Sequence, residues 1–216
     1  LYALLCETFT VLRKTKTAYN YYKQADTLLA ASLSSNSSEL TADDVKRWHS
    51  SSWNNSINLL KMGDMKSGWK LYDHGLVVPT NTAQRFQRCL QPIFSYEELP
   101  IWDGSLISNT SILVYSEQAI GDTIMFATLL PHIDPSVTVY FIPGKRLLEV
   151  YKKYSQLADN IKYVDRDEVK ALGPDHFSCQ IPVGSLPKLF IHSYTSYVPP
   201  EQPILSIPPK FASDLR

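Results

Sequence analysis

The sequence predicts an α/β protein with an N-terminal α-helical repeat region followed by a mainly parallel sheet. Three observations predict it. Apolar residues recur at helical spacing from residue 1 to about 76, and short β-branched runs alternate with helical stretches from Ser111 onward. Between Ser111 and Pro131 the apolar period changes from strand-like to helix-like across a polar turn holding one glycine. Strands alternating with helices imply right-handed crossovers and a sheet covered on both faces, half of a doubly wound fold.

Composition bounds the partners. The chain has 216 residues, enough for one sizeable domain or a helical piece plus a small α/β domain, and the second suits the pattern better. Its 21 basic and 21 acidic side chains balance, so no global field draws it to nucleic acid or an anionic membrane. Cys6, Cys89 and Cys179 are far apart, with no metal-ligand spacing, and read as buried thiols of a reducing, cytoplasmic compartment. No run approaches the roughly 18 apolar residues of a membrane span, and Leu1-Tyr2-Ala3 does not open a signal peptide. The absence of an initiating methionine suggests a start inside a longer protein. Sequons at Asn36, Asn54 and Asn109 lie in Ser/Thr-rich text that makes them by chance.

In chain order, Leu4, Leu5, Phe9 and Leu12 mark the apolar face of a first helix. After a break at Lys14-Thr15-Lys16, Ala18, Tyr21, Tyr22, Ala25 and Leu28 mark a second. Ser32 to Ser38 reads as a loop, and Thr41 to Asp44 supplies a helix start. A second helical pair runs from Val45 through Leu60 and, after Lys61-Met62-Gly63-Asp64, from Met65 to His74. Gly68-Trp69 and Tyr72 echo Ala18-Tyr19 and Tyr22, the mark of a repeat whose small residues let helices approach closely. Trp48, Trp53, Trp69, Tyr19, Tyr21, Tyr22 and Tyr72 are expected as packing between helices.

Residues 77 to 110 are punctuated by Pro79, Pro92 and Pro100 and read as a connector. Arg85, Phe86, Arg88 and Phe94 form either a phosphate- or acceptor-facing edge or a solvated, domain-bridging connector. Ser111 to Tyr115 is the first strand, and Ile120, Ile124, Ala127 and Leu130 mark the helix after it. Val137 to Ile142 is a second strand, ended by Pro143-Gly144 and followed by a helix with Leu147, Leu148, Val150, Tyr151 and Tyr154 on one face. Ile161 to Val164 is a third strand, Val169 to Leu172 a helical turn closed by Gly173-Pro174, and Phe177 to Ile181 a fourth strand. Val198 to Lys210, with five prolines, is irregular.

Candidate chemistry concentrates after the first strand. In a parallel sheet that turn lies at the carboxyl edge, where ligands bind and the new helix presents free N–H groups and a positive dipole end. Gly121 lets a substrate approach the backbone, and Asp122 sits in the first helical turn. The same residues also satisfy a plain tight turn with a first-turn acid. The stretch is neither G-x-G-x-x-G nor a P-loop, so neither NAD nor ATP follows. The loop Pro182 to Pro187 is expected at the same sheet edge, where a plain strand-to-helix turn equally accounts for Gly184 and Ser185. His49, His74, His132, His176 and His192 are scattered without metal-binding spacing, no metal site is expected, and no serine or cysteine sits in a nucleophile elbow.

Trp102-Asp103-Gly104, a strand, then Glu117-Gln118-Ala119-Ile120-Gly121-Asp122-Thr123-Ile124-Met125-Phe126 resembles the opening of the glycosyltransferase-like domain of bacterial tetratricopeptide-repeat (TPR) proteins. Gly63-Asp64 and Gly68-Trp69-Lys70-Leu71-Tyr72 are similar to the wording that precedes that domain, and Gly121-Asp122 before an apolar helix and Pro131 looks like the start of a heptosyltransferase-type fold. The resemblance covers residues 48 to 190. It implies TPR-like hairpins over 1–76, a connector over 77–110, the Rossmann-like N-terminal lobe of a GT-B glycosyltransferase over 111–197 and a Pro-rich interlobe linker over 198–216.

By that resemblance Asp122 is the catalytic base, and Glu117, Gln118, Gly121, Thr123, Gly184 and Ser185 bind substrate on the acceptor side, without a metal. Glu117-Gln118 ahead of the glycine departs from the heptosyltransferase form. In that architecture a second lobe mainly holds the nucleotide-sugar, so the resemblance implies a donor site in the full-length protein rather than in these residues. The acceptor is a sugar or a protein, and helical repeats imply a protein partner. The competing reading is a non-catalytic TPR interaction module with a structural α/β domain.

Overall fold

A computed structural model describes residues 1–34, 41–76, 88, 92–117, 119–206 and 208. The chain forms two compact units: Leu1–Cys89 with Ile191–Tyr197, and Leu90–Phe190 with Val198–Arg216.

The first unit is built of helices α1 (Tyr2–Val11), α2 (Thr15–Ser34), α3 (Ala42–Met62) and α4 (Met65–Tyr72), the last continued by a 3-10 turn at Asp73–Leu76. Local chemistry sets the boundaries. Arg13, at φ 57°, turns the chain between α1 and α2. Thr41 caps α3 in a capping box with Asp44, Gly63 ends it in the left-handed region, and Asp64 caps α4 through the Ser67 N–H.

Two successive hairpins result. The Tyr22 and Ser52 hydroxyls share a hydrogen bond and Trp48 Nε1 donates to Asp26, so α2 and α3 run antiparallel. Asn58 reaches Thr10 while Ser51 reaches Cys6, so α1 and α3 run parallel. Corresponding positions are buried in each hairpin: Ala18 and Tyr22 in the first, Gly68 and Tyr72 in the second. Gly68 is dictated by packing, because a Cβ there would lie 2.7 Å from the Leu60 side chain.

The inner face of α1 differs from the expected one. Cys6 is fully buried with Ala18 and Tyr22 against Phe9, whereas Leu4 and Leu12 are exposed, as is Leu28 on α2. The expected phase leaned on leucine; the helices instead select small and aromatic residues that fit a close crossing. Trp53 and Tyr72 are buried as expected.

The connector also departs from expectation. Arg88 is buried, donating to the Asp73 carboxylate at 2.8 Å and lying 4.8 Å over the Tyr72 ring, so it is an internal tie rather than a phosphate-facing edge. Phe94 is buried in the sheet unit with Leu113, Tyr115 and Phe177. Arg85 and Phe86 lie outside the described residues, as do Cys89 and most of the expected loop Ser32 to Ser38.

The second unit carries strands β1 (Ser111–Tyr115), β2 (Thr138–Ile142), β3 (Ile161–Tyr163) and β4 (Cys179–Pro182) in an all-parallel sheet of order β3-β2-β1-β4. Helices α5 (Ile120–Ala127), α6 (Lys145–Tyr154), α7 (Arg166–Leu172) and α8 (Leu186–Phe190) alternate with them, a Rossmann-like arrangement. Ile112, Leu113 and Val114 of β1 are fully buried, each worth roughly 1.5–3 kcal/mol.

Residues 94–102 fold onto this sheet. Gln180, fully buried on β4, donates through Nε2 to the Phe94 and Leu99 carbonyls at 3.0 and 2.7 Å. Its main chain exchanges bonds with Pro100 and Trp102. The later part of the expected connector is therefore part of the sheet unit. So is the start of the expected linker: Ile204 is buried, and residues 204–206 pair with the end of α6 through Gln156 and Tyr154. Ile191–Tyr197 joins the helical unit, where the Tyr194 hydroxyl donates to the Leu60 carbonyl at 3.2 Å.

Replacing Arg88 by Ala removes its buried ion pair with Asp73 and its packing on Tyr72 and is expected to cost about 3 kcal/mol in urea unfolding. Gln180→Ala strands two buried carbonyls and is expected to cost about 2–3 kcal/mol. A change under 0.5 kcal/mol in either variant would contradict the roles assigned here.

Candidate functional site

The site is built from the ends of parallel strands. Tyr115 pairs with Ile142 on one side and Pro182 on the other, so the loops after β1, β2 and β4 leave the sheet at one edge. The chain steps outward from β1 to β2 to β3, then returns to the other flank of β1 as β4. The carboxyl edge between β1 and β4 is therefore the point where strand order reverses, where open α/β sheets bind ligands.

Three loops meet there. The Ser116 N–H donates to the Ile142 carbonyl at 2.9 Å. Gly144, at φ +86°, passes so close to Ser116 that a Cβ would lie 3.2 Å from its hydroxyl. Glu117, only 3 % exposed, accepts from the Gly184 N–H at 3.5 Å and so spans β1 and β4. A carboxyl group this buried requires hydrogen-bond donors, and a backbone amide of the facing loop is one of them.

Above this buried layer α5 begins. Its N-cap is Ala119, with no side-chain capping bond, so the first turn is not closed by a side chain. Asp122 is the third residue of the helix, half-exposed, and does not cap it. Gly121 is exposed, and a Cβ added to it would meet nothing within 4 Å. Neither crowding nor backbone conformation within the chain demands glycine here. The open side of that turn is where a ligand can rest against the main chain.

The candidate residues fall into two groups. Gly121 and Asp122 reach the surface. Glu117, Thr123, Gly184 and Ser185 are buried; Thr123 is 2 % exposed and donates from its hydroxyl to the Ala119 carbonyl at 3.2 Å. Their contribution to a site runs through the shape of the wall. Gln118 lies outside the described residues. Ser116 and Gly144 were not anticipated as neighbours of the turn, although Pro143-Gly144 was visible as a strand terminator. In the sequence Gln180 is marked by being an uncharged polar residue inside an apolar strand.

The buried face of α5 is Thr123, Phe126 and Ala127, continued by Leu130, whereas Ile120 is 42 % exposed. Ile120 opens the helix beyond the sheet edge and so escapes the core. Cys6 and Cys179 are free, buried thiols, and burial pushes Cys179 up to about 11, away from thiolate chemistry. Among the described residues, no three His, Cys, Asp or Glu side chains cluster as a metal site, and no helix is long and apolar enough to cross a membrane.

No protein-family model, curated protein or solved structure matches the chain.

Because nothing occupies the space a Cβ would take, Gly121→Ala is expected to leave urea stability unchanged or raise it by up to about 1 kcal/mol through helix propensity. Glu117→Ala strips a buried amide of its acceptor and is expected to cost about 1–3 kcal/mol. Equal destabilisation by both changes would place Gly121 in the packed wall.

Proposed function

We propose that this chain is the acceptor-side lobe of a cytoplasmic, sugar-nucleotide-dependent glycosyltransferase carrying TPR-like helical repeats. The observation that carries the reading is the exposed, glycine-bearing first turn of α5, placed at the reversal of strand order with the Asp122 carboxylate one residue on. The resemblance of Trp102-Asp103-Gly104 and Glu117 to Phe126 to transferase-like domains supports it, as does the matching burial of Ala18–Tyr22 and Gly68–Tyr72 in two parallel-stacked hairpins.

In this reading an acceptor hydroxyl docks against Gly121. Its oxygen bonds to the anomeric carbon of the donor as the bond from that carbon to the diphosphate oxygen breaks. The bonding pair leaves with the diphosphate, and the acceptor proton passes to Asp122. The free N–H groups and dipole of the α5 start favour negative charge nearby. Glu117 is a positioning residue, holding the loops after β1 and β4 in register beneath the acceptor. The donor nucleotide-sugar is expected to belong to the full-length protein.

One observation favours a second reading, a non-catalytic interaction module. The helical unit has a concavity of about 780 Å³, lined by Tyr2, Leu28, Leu29, Arg47 and Trp48 among others, and mixed apolar and charged walls suit a peptide.

The test uses the full-length protein with a panel of nucleotide-sugars, reading release of nucleoside diphosphate. Asp122→Asn is expected to lower turnover by about 100-fold or more with the thermal midpoint unchanged. Gly121→Ala is expected to raise the acceptor KM at unchanged stability. Unchanged turnover in Asp122→Asn removes Asp122 from the mechanism, and no turnover of any donor by folded protein overturns the transferase reading.

A further inference from the structure

His49 and His74 are 25 positions apart in sequence, one in the middle of α3 and the other in the 3-10 turn that continues α4. The antiparallel packing of α3 and α4 brings their Nδ1 atoms to 2.8 Å. Both rings are partly buried, and the Trp48 indole lies edge-on to each, at 4.7 Å from His49 and 4.6 Å from His74 between centroids. Trp48 is itself held by its Nε1 bond to Asp26 on α2, so three helices frame the pair.

Two imidazole nitrogens this close share one proton: one ring donates from Nδ1 and the other accepts. Burial keeps both neutral. It lowers His49, and together with the nearby His49 holds His74 down to about 4 despite Asp73 and Asp26; Lys70 pushes the same way as burial. Neutral imidazole is the form that ligates metals.

The spacing selects among cations. With metal–nitrogen bonds of about 2.0–2.1 Å, ligands at a right angle lie about 2.8–3.0 Å apart, and tetrahedral ligands about 3.3 Å apart. The observed 2.8 Å fits adjacent positions of a tetragonal ion. The ring centroids are 5.0 Å apart, so the imidazoles meet nearly head-on, and both rings must swing and tilt for their lone pairs to aim at one apex in place of the shared proton.

We propose that His49 and His74 form a bidentate Nδ1 site for a tetragonal divalent transition cation, Cu²⁺ or Ni²⁺, with water completing the coordination. The cation takes the place of the single proton shared by the rings: the donating ring changes tautomer, its Nδ1 proton being given up as Nε2 takes one from solvent, so that both rings ligate as neutral imidazoles with no net loss of a proton. This inference stands apart from the transferase reading and involves none of its residues.

The experiment titrates NiCl2 into the full chain by calorimetry and records the electron paramagnetic resonance of the Cu²⁺-loaded protein. One equivalent of Ni²⁺ is expected to bind. The copper spectrum is expected to be tetragonal, with superhyperfine splitting from two nitrogens. His49→Gln and His74→Gln should each weaken Ni²⁺ binding at least tenfold, while His132→Gln and His192→Gln leave it unchanged. No binding, binding insensitive to both substitutions, or a copper spectrum with one nitrogen or none overturns the proposal. If a variant fails to fold, the wild-type spectrum still overturns the proposal when it shows one nitrogen or none.

Discussion

β1 is the constraint on which the sheet unit depends. Five residues of strand are hydrogen-bonded on both sides by parallel neighbours, and Ile112, Leu113 and Val114 have no contact with water. A strand so enclosed admits no polar side chain on either face and needs a crossover helix before each partner. Its five residues therefore set the direction of β2 and β4, the placement of α5 and the convergence of three loops at one edge. Gln180 extends the same logic outward: one amide, buried on β4, holds the backbone of 94–102 against the sheet.

That edge divides its labour between a sealed floor and an open lip. Glu117, Thr123, Gly184 and Ser185 make the floor, where a carboxylate and a backbone amide substitute for water. Gly121 and Asp122 make the lip. A floor that is hydrogen-bonded across β1 and β4 resists movement, and a rigid base under a solvent-facing helix start is a sound platform for holding a ligand.

Much of this was legible in the residues. The run Ser111-Ile112-Leu113-Val114-Tyr115, its turn and Gly121 announce strand, loop and helix, because local periodicity and one glycine are enough to specify them. The helix start at Thr41 to Asp44 is equally plain, since a cap acts within a single turn. What could not be read depends on distance along the chain. No local pattern shows that Arg88 finds Asp73, that residues 94–102 lie on β4, or that His49 meets His74. The inner face of α1 misled for a related reason: where two helices cross closely, fit outweighs hydrophobicity, and Cys6 rather than Leu4 is enclosed.

The placement of Ile191–Tyr197 bears on the order of synthesis. The polypeptide passes between the units after Cys89, after Phe190 and after Tyr197. On a ribosome, the helical hairpins emerge early but wait about 5–20 s, at ordinary elongation rates, until Tyr194 arrives to cover Gly63. During that interval all four strands are made, so the sheet can close before the helices receive their last piece, although Ile204, which is buried beside the end of α6, reaches the sheet unit only after Tyr194 has been made.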